Sequence, residues 1–206
     1  SRGLGDVYKR QLIEMDIPVV FFNGYYPSLS GTYSVCADNQ AGGAELVRHL
    51  IERGHTKIAG FFKSDDIQGH QRYSGFISEL FRNGLIIPDE NVFWYITETK
   101  EDLFNNPQEV LNRLGDNTAV VCYNDEVAFG LIKCLLSAGR RVPEDVAVVS
   151  FDNSNLSRIS PVTITSLSYE DRNIGRIAAQ KLVDILNGKE VTSEVLPWTF
   201  IQKESS

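Results

Sequence analysis

Three apolar segments of this chain each run out into hydrogen-bonding side chains. Ile58-Ala59-Gly60-Phe61-Phe62 leads into Lys63-Ser64-Asp65-Asp66, Ala119-Val120-Val121-Cys122-Tyr123 into Asn124-Asp125, and Val146 to Phe151 into Asp152-Asn153. Carboxylates accept hydrogen bonds, an amide such as Asn124 both donates and accepts, and Arg72 offers a rigid five-donor fork. Those types suit reversible binding of a neutral, hydroxyl-rich molecule. Each also has a structural use: Asn124 or Asp125 can cap the helix that follows, Asp152 can serve an Asx turn, and Arg72 can be a solvated surface cation. Lys63, Asp66 and Gln68 stand on the loop between a strand and a helix.

Catalytic chemistry lacks its parts. His49, His55 and His70 have no Cys or carboxylate at metal-ligand spacing, so no metal site is expected. No Gly-x-Ser-x-Gly elbow, Gly-x-Gly-x-x-Gly fingerprint or Gly-Lys-Ser/Thr phosphate loop occurs. Asp65-Asp66 supplies two carboxylates, but adjacency on a loop does not create the spacing a glycosidase needs. The expectation is a binder without catalytic residues or cofactors.

The elements that must position these residues alternate short apolar strands with amphipathic helices, the pattern of βα units around parallel sheets. The first clear helix opens at Asp38, buries Ala44, Val47, Leu50 and Ile51, and stops at Gly54. The next is expected from about His70 to Gly84, burying Tyr73, Phe76, Ile77 and Leu80. Asn106-Pro107 has the N-cap and N1 signature of a third helix. A fourth carries Val127 to Leu136, and Asp171 is expected to cap the last. Val195 to Ile201 reads as a final strand. Parallel sheets of this kind bind ligands beyond the carboxyl ends of their strands, where the polar clusters fall.

Composition bounds the partners. With 42% apolar and 23% charged residues among 206, the chain can bury a core. A formal charge of -7 without a Lys/Arg tract argues against duplex or anionic membrane contact by this segment. No apolar run approaches the roughly 20 residues that span a bilayer. Three cysteines, Cys36, Cys122 and Cys134, lie in apolar patterns without Cys-x-x-Cys spacing, which suits a reduced, cytoplasmic protein. Residues 1–11 lack a convincing period and read as a non-native remnant.

Several motifs in order resemble one family. Asp38-x-x-x-Gly42-Gly43, Gly54-His55-x-x-Ile58-Ala59, Arg72-x-x-Gly75-Phe76, Asn124-Asp125-x-x-Ala128 and Val142-Pro143-Glu144-Asp145-Val146 leading to Phe151-Asp152 are similar to the effector domain of lactose/galactose-type bacterial repressors. The stretches Phe61 to Gly69 and Cys122 to Ala128 look most like the arabinose-responsive branch, which implies a pentose effector. The resemblance implies an α/β fold of the periplasmic-binding-protein type, with two Rossmann-like lobes and a first lobe incomplete in this chain. It implies crossings near Gly54, Leu167 and Gly188, so that residues 12–54 and 168–188 form the partial first lobe and 55–167 with 189–206 the second.

By family position, Arg72, Asn124 and Asp152 grip effector hydroxyls from the second lobe, Asp66 and Gln68 point from the binding loop, and Asp38 approaches from the first lobe. Lys63 joins them through the arabinose-type resemblance. Two departures stand out: Ser150 takes the place of a usual Gly, and Asn153 that of a second carboxylate. The implied function is sugar sensing for a transcriptional repressor that is homodimeric when intact. Operator DNA would be contacted only through an amino-terminal domain absent here. The competing reading is a solute-binding protein of a sugar transport system.

Overall fold

The computed structural model describes residues 6–169 and 173–206. The expected cap Asp171 lies outside the described residues. The chain divides into two compact units, residues 1–38 with 169–197 and residues 39–168 with 198–206.

The smaller unit holds α1 (Asp6–Glu14), β1 (Val20–Phe22), β2 (Tyr33–Ala37), α7 (Ile174–Leu186) and β8 (Glu194–Leu196). Its sheet runs β1-β2-β8, all parallel, with Val35 opposite Glu194. Two strands were expected here; β8 makes a third. Helix α1 covers part of the segment read as a remnant, and Lys9 places its ammonium 3.6 Å from the Tyr26 ring centroid.

The larger unit contains α2 (Asn39–Glu52), β3 (Ile58–Lys63), α3 (Ile67–Arg82), β4 (Val92–Tyr95), α4 (Pro107–Leu114), β5 (Ala119–Cys122), α5 (Asp125–Ser137), β6 (Ala147–Phe151), α6 (Asn155–Ile159), β7 (Thr165–Ser168) and β9 (Thr199–Ile201). Its sheet order is β4-β3-β5-β6-β7-β9, parallel except for the β7/β9 pair. Strands β3, β5 and β6 are buried along their whole length, as expected of a parallel sheet covered on both faces. Phe61, Phe93, Val120, Val148, Leu131 and Leu135 belong to one continuous core.

Two boundaries differ from expectation. Helix α2 belongs with the larger unit, because it packs on α3 at backbone distance. A Cβ added at Gly43 would stand 2.2 Å from the Arg72 carbonyl oxygen, and one at Gly75 1.9 Å from that of Gln40. The paired glycines of the motifs therefore bring two helices together, and the division falls after Asp38, not near Gly54. The segment Val195 to Ile201 is likewise two strands in two sheets, interrupted at Pro197, so that the division falls there instead of near Gly188. The division after Ser168 lies one residue from the expected Leu167. Among the described residues, no helix is long and apolar enough to cross a membrane.

Candidate functional site

Asp66 stops β3 and starts α3. As N-cap it accepts a hydrogen bond from the Gly69 backbone N–H at 2.7 Å, which begins the helix at Ile67, three residues earlier than the apolar spacing suggested. Arg72 therefore falls in the second turn of the helix, and its side chain is only 2% exposed. Its Nε donates to Asn39 Oδ1 at 3.0 Å, Nη1 to the Tyr123 carbonyl oxygen, and Nη2 to Asp152 Oδ1 at 3.3 Å. The guanidinium carbon also lies 4.2 Å from the Phe151 ring centroid and 4.7 Å from that of Tyr123. Weak hydration and a planar face let an Arg occupy such a place where a Lys would lose most of these contacts. The surface-cation alternative for Arg72 is therefore excluded.

A second group forms at the end of β3. Lys63 is buried, with its ammonium 2.9 Å from Asp66 and 3.3 Å from Asp65. Tyr123 Oη donates to Asp66 Oδ2 at 2.7 Å and lies 3.4 Å from Gln68 Oε1. Burial raises the Asp66 pKa, but the Tyr123 hydroxyl, the Gly69 N–H and Lys63 outweigh it, and the carboxyl is held below its ordinary value. Burial pushes the Tyr123 phenol well up, so it serves as a neutral donor.

Asn124 caps α5: its Oδ1 accepts from the Val127 N–H at 3.0 Å, which commits the acceptor end and leaves the NH2 end for other partners. Asp125, the other capping candidate, turns inward instead and is 1% exposed. Asp152 sits at φ 97° and Asn153 at φ 46°, consecutive left-handed residues that aim the Asp152 carboxylate at Arg72. Asp38 follows β2 in the smaller unit, where its N–H donates to the Leu196 carbonyl oxygen at 2.8 Å.

The structure thus joins Lys63, Asp66 and Gln68 in one group and Arg72 with Asp152 in another. Tyr123 connects the two, through its hydroxyl on one side and its carbonyl and ring on the other. Sequence reasoning missed Tyr123 and Asn39, although Tyr123 directly precedes Asn124 at a strand end. The fixed pattern of donors and acceptors around buried charges and aromatic faces can recognise a polyhydroxylated ligand. Among the described residues, no group of three or more His, Cys, Asp or Glu side chains could hold a metal ion.

A sheet of this topology with polar strand ends defines a class of binding protein, and comparison with known proteins agrees. Residues 47–206 match the family described as periplasmic binding protein-like domain, and the chain belongs to that family. It is similar to the arabinose metabolism transcriptional repressor of Halalkalibacterium halodurans, with 34% identity over 184 residues, 87% of this chain and 48% of that protein. The protein of the same description from Geobacillus stearothermophilus is 35% identical over 190 residues, 89% of this chain and 51% of that one. The solved complex of the transcriptional regulator CelR with cellobiose has a TM-score of 0.87 and 29% identity, covering 98% of this chain and 62% of that one. This chain spans about half the length of the curated relatives it matches. Those relatives are regulators, not enzymes.

Proposed function

We propose that this chain is the effector-sensing region of a cytoplasmic, DNA-binding transcriptional repressor, and that its effector is a neutral pentose such as L-arabinose. The observation that carries this reading is the buried Arg72 fork, tied through Tyr123 to Asp66, in a chain about one-third identical to arabinose repressors. Arg72, Asp152 and Asn124 hold sugar hydroxyls, Lys63, Asp66 and Gln68 contribute from the β3 end, and Asp38, at the end of β2, is assigned to effector binding by the family resemblance alone.

A sugar that contacts two conformations unequally shifts their balance by that difference alone. A coupling of about 1–3 kcal/mol is typical of such switches. DNA contact and homodimerisation are properties we assign to the intact protein, in keeping with the acidic charge of this segment.

Calorimetric titration with L-arabinose, D-xylose, D-ribose and D-galactose tests the assignment. Saturable heat with a pentose and not with D-galactose is expected. No heat with any pentose overturns it. Operator binding that responds to the same pentose in the intact protein separates a repressor from a transport solute-binding protein.

A further inference from the structure

Ser150, one of the two departures from the family pattern, meets a buried carboxylate, Asp125, which also reaches the backbone N–H of the other, Asn153, through Ser166. Asp125 accepts hydrogen bonds from Ser150 Oγ, from Ser166 Oγ at 2.8 Å and from the Ser154 backbone N–H. Ser166 Oγ in turn accepts from the Asn153 N–H at 3.0 Å. Asp125 thus grips the backbone at 154 directly and at 153 through one hydroxyl. Those residues close the turn whose Asp152 and Asn153 both have positive φ without being glycine. Such conformations are strained for a residue with a side chain and persist only where the surroundings over-determine them. The Asn153 side chain is secured as well, its Oδ1 accepting from Lys203 Nζ at 2.7 Å.

We infer that Asp125 is a positioning residue of the sugar site: through Ser154 and Ser166 it holds the Asp152–Asn153 turn in its left-handed form, so that Asp152 meets Arg72 before a ligand arrives. This rests on the sugar-binding reading above. Ser150 belongs to the same device. Where a glycine would leave one lone pair of a buried carboxylate unsatisfied, its hydroxyl supplies the donor. Asp125 itself touches no ligand. Its effect on affinity passes through Asp152, because a turn free to relax must be re-ordered when the sugar binds.

The test is a double-mutant cycle on the full chain, read by calorimetry with L-arabinose. Asp125→Asn keeps the shape but exchanges an acceptor oxygen for a donor. Its Kd is expected to rise at least about tenfold, and Asp125→Asn/Asp152→Asn is expected to bind no worse than Asp152→Asn alone. Multiplying effects, or an Asp125→Asn Kd equal to wild type, overturn the inference and leave the sugar assignment standing. Wild type without pentose heat overturns both. Should Asp125→Asn fail to fold, Ser166→Ala removes only the relay, and a rise in Kd that vanishes in the Asp152→Asn background is then expected. Amide exchange supplies a readout without ligand. Asn153 and Ser154 should exchange at least tenfold faster in the folded variant, and unchanged protection at both overturns the inference.

Discussion

The Tyr123 hydroxyl lies 2.7 Å from Asp66 Oδ2 and joins the end of β5 to the cap of α3. Tyr123→Phe removes that donor while keeping the ring against Arg72. A loss of about 1–2 kcal/mol of stability is expected, since Asp66 stays ionised with one partner fewer. Because the folded-state pKa of Asp66 is depressed, its contribution is complete above the ordinary carboxylate value and is lost as pH falls through the folded one. The variant should therefore lose less stability than wild type below about pH 4. Urea unfolding across acidic pH checks this; identical acid dependence would contradict it.

Arg72 is bound in three directions by Asn39, Tyr123 and Asp152. Arg72→Ala leaves those acceptors facing a void, with an expected cost of about 3–5 kcal/mol. Arg72→Lys is more informative. An ammonium cannot reach all three acceptors in one plane, so stability should fall less than in the alanine variant while pentose binding weakens more than tenfold. Wild-type affinity in Arg72→Lys would show that the fork is not used.

Much of this arrangement was legible because strand and helix periods are local properties. Ile58–Lys63, Ala119–Cys122 and Ala147–Phe151 fall where the apolar runs placed them, and Asn106-Pro107 opens α4 as its cap signature indicates. Thr165–Ser168 escaped notice because a strand with two buried serines lacks an apolar run; the Ser166 hydroxyl serves Asp125 and the Thr165 hydroxyl the Lys203 backbone instead. Asp66 reads in sequence as a loop residue that the family resemblance also points at the effector, and Asn124 as the better ligand candidate of its pair; each is also an N-cap. One side chain can do both when a second polar atom remains. Tyr123 was invisible for another reason. Its role depends on Asp66 and Arg72, which lie more than 50 positions away and meet it only after β3 pairs with β5.

The glycine pair between α2 and α3 yields a stability prediction independent of any ligand. Gly43→Ala would drive its methyl into the Arg72 carbonyl oxygen, an atom of the helix backbone that cannot rotate away. Overpacking of this kind costs about 2–3 kcal/mol. Gly54→Ala supplies a contrast, because nothing lies within 4 Å of its Cβ position and only its φ of 90° is strained. Chemical unfolding should show the Gly43 variant to be the weaker of the two, with reduced sugar affinity because Arg72 shifts with the α3 backbone. Equal stability would mean that the helices separate freely.

His49 provides the last test, on a face of α2 turned away from Gly43. Its ring meets Ser206 Oγ at 2.9 Å and the Phe200 ring at 4.6 Å between centroids. Burial, then the charges of Arg53 and His55, bring its pKa down from 6.5 to about 4. Between those values the unfolded chain binds a proton that the folded chain refuses, so stability rises with pH through this window and is complete above it. Fully expressed, the gap would carry about 3 kcal/mol; solvent around a half-buried ring reduces this to about 1–2 kcal/mol. His55, also depressed by burial and Arg53, adds in the same direction. His49→Gln retains a polar side chain without the titration. Its urea midpoint should change less than that of wild type between pH 7 and pH 5, and an unchanged pH dependence would assign the acid sensitivity to other groups.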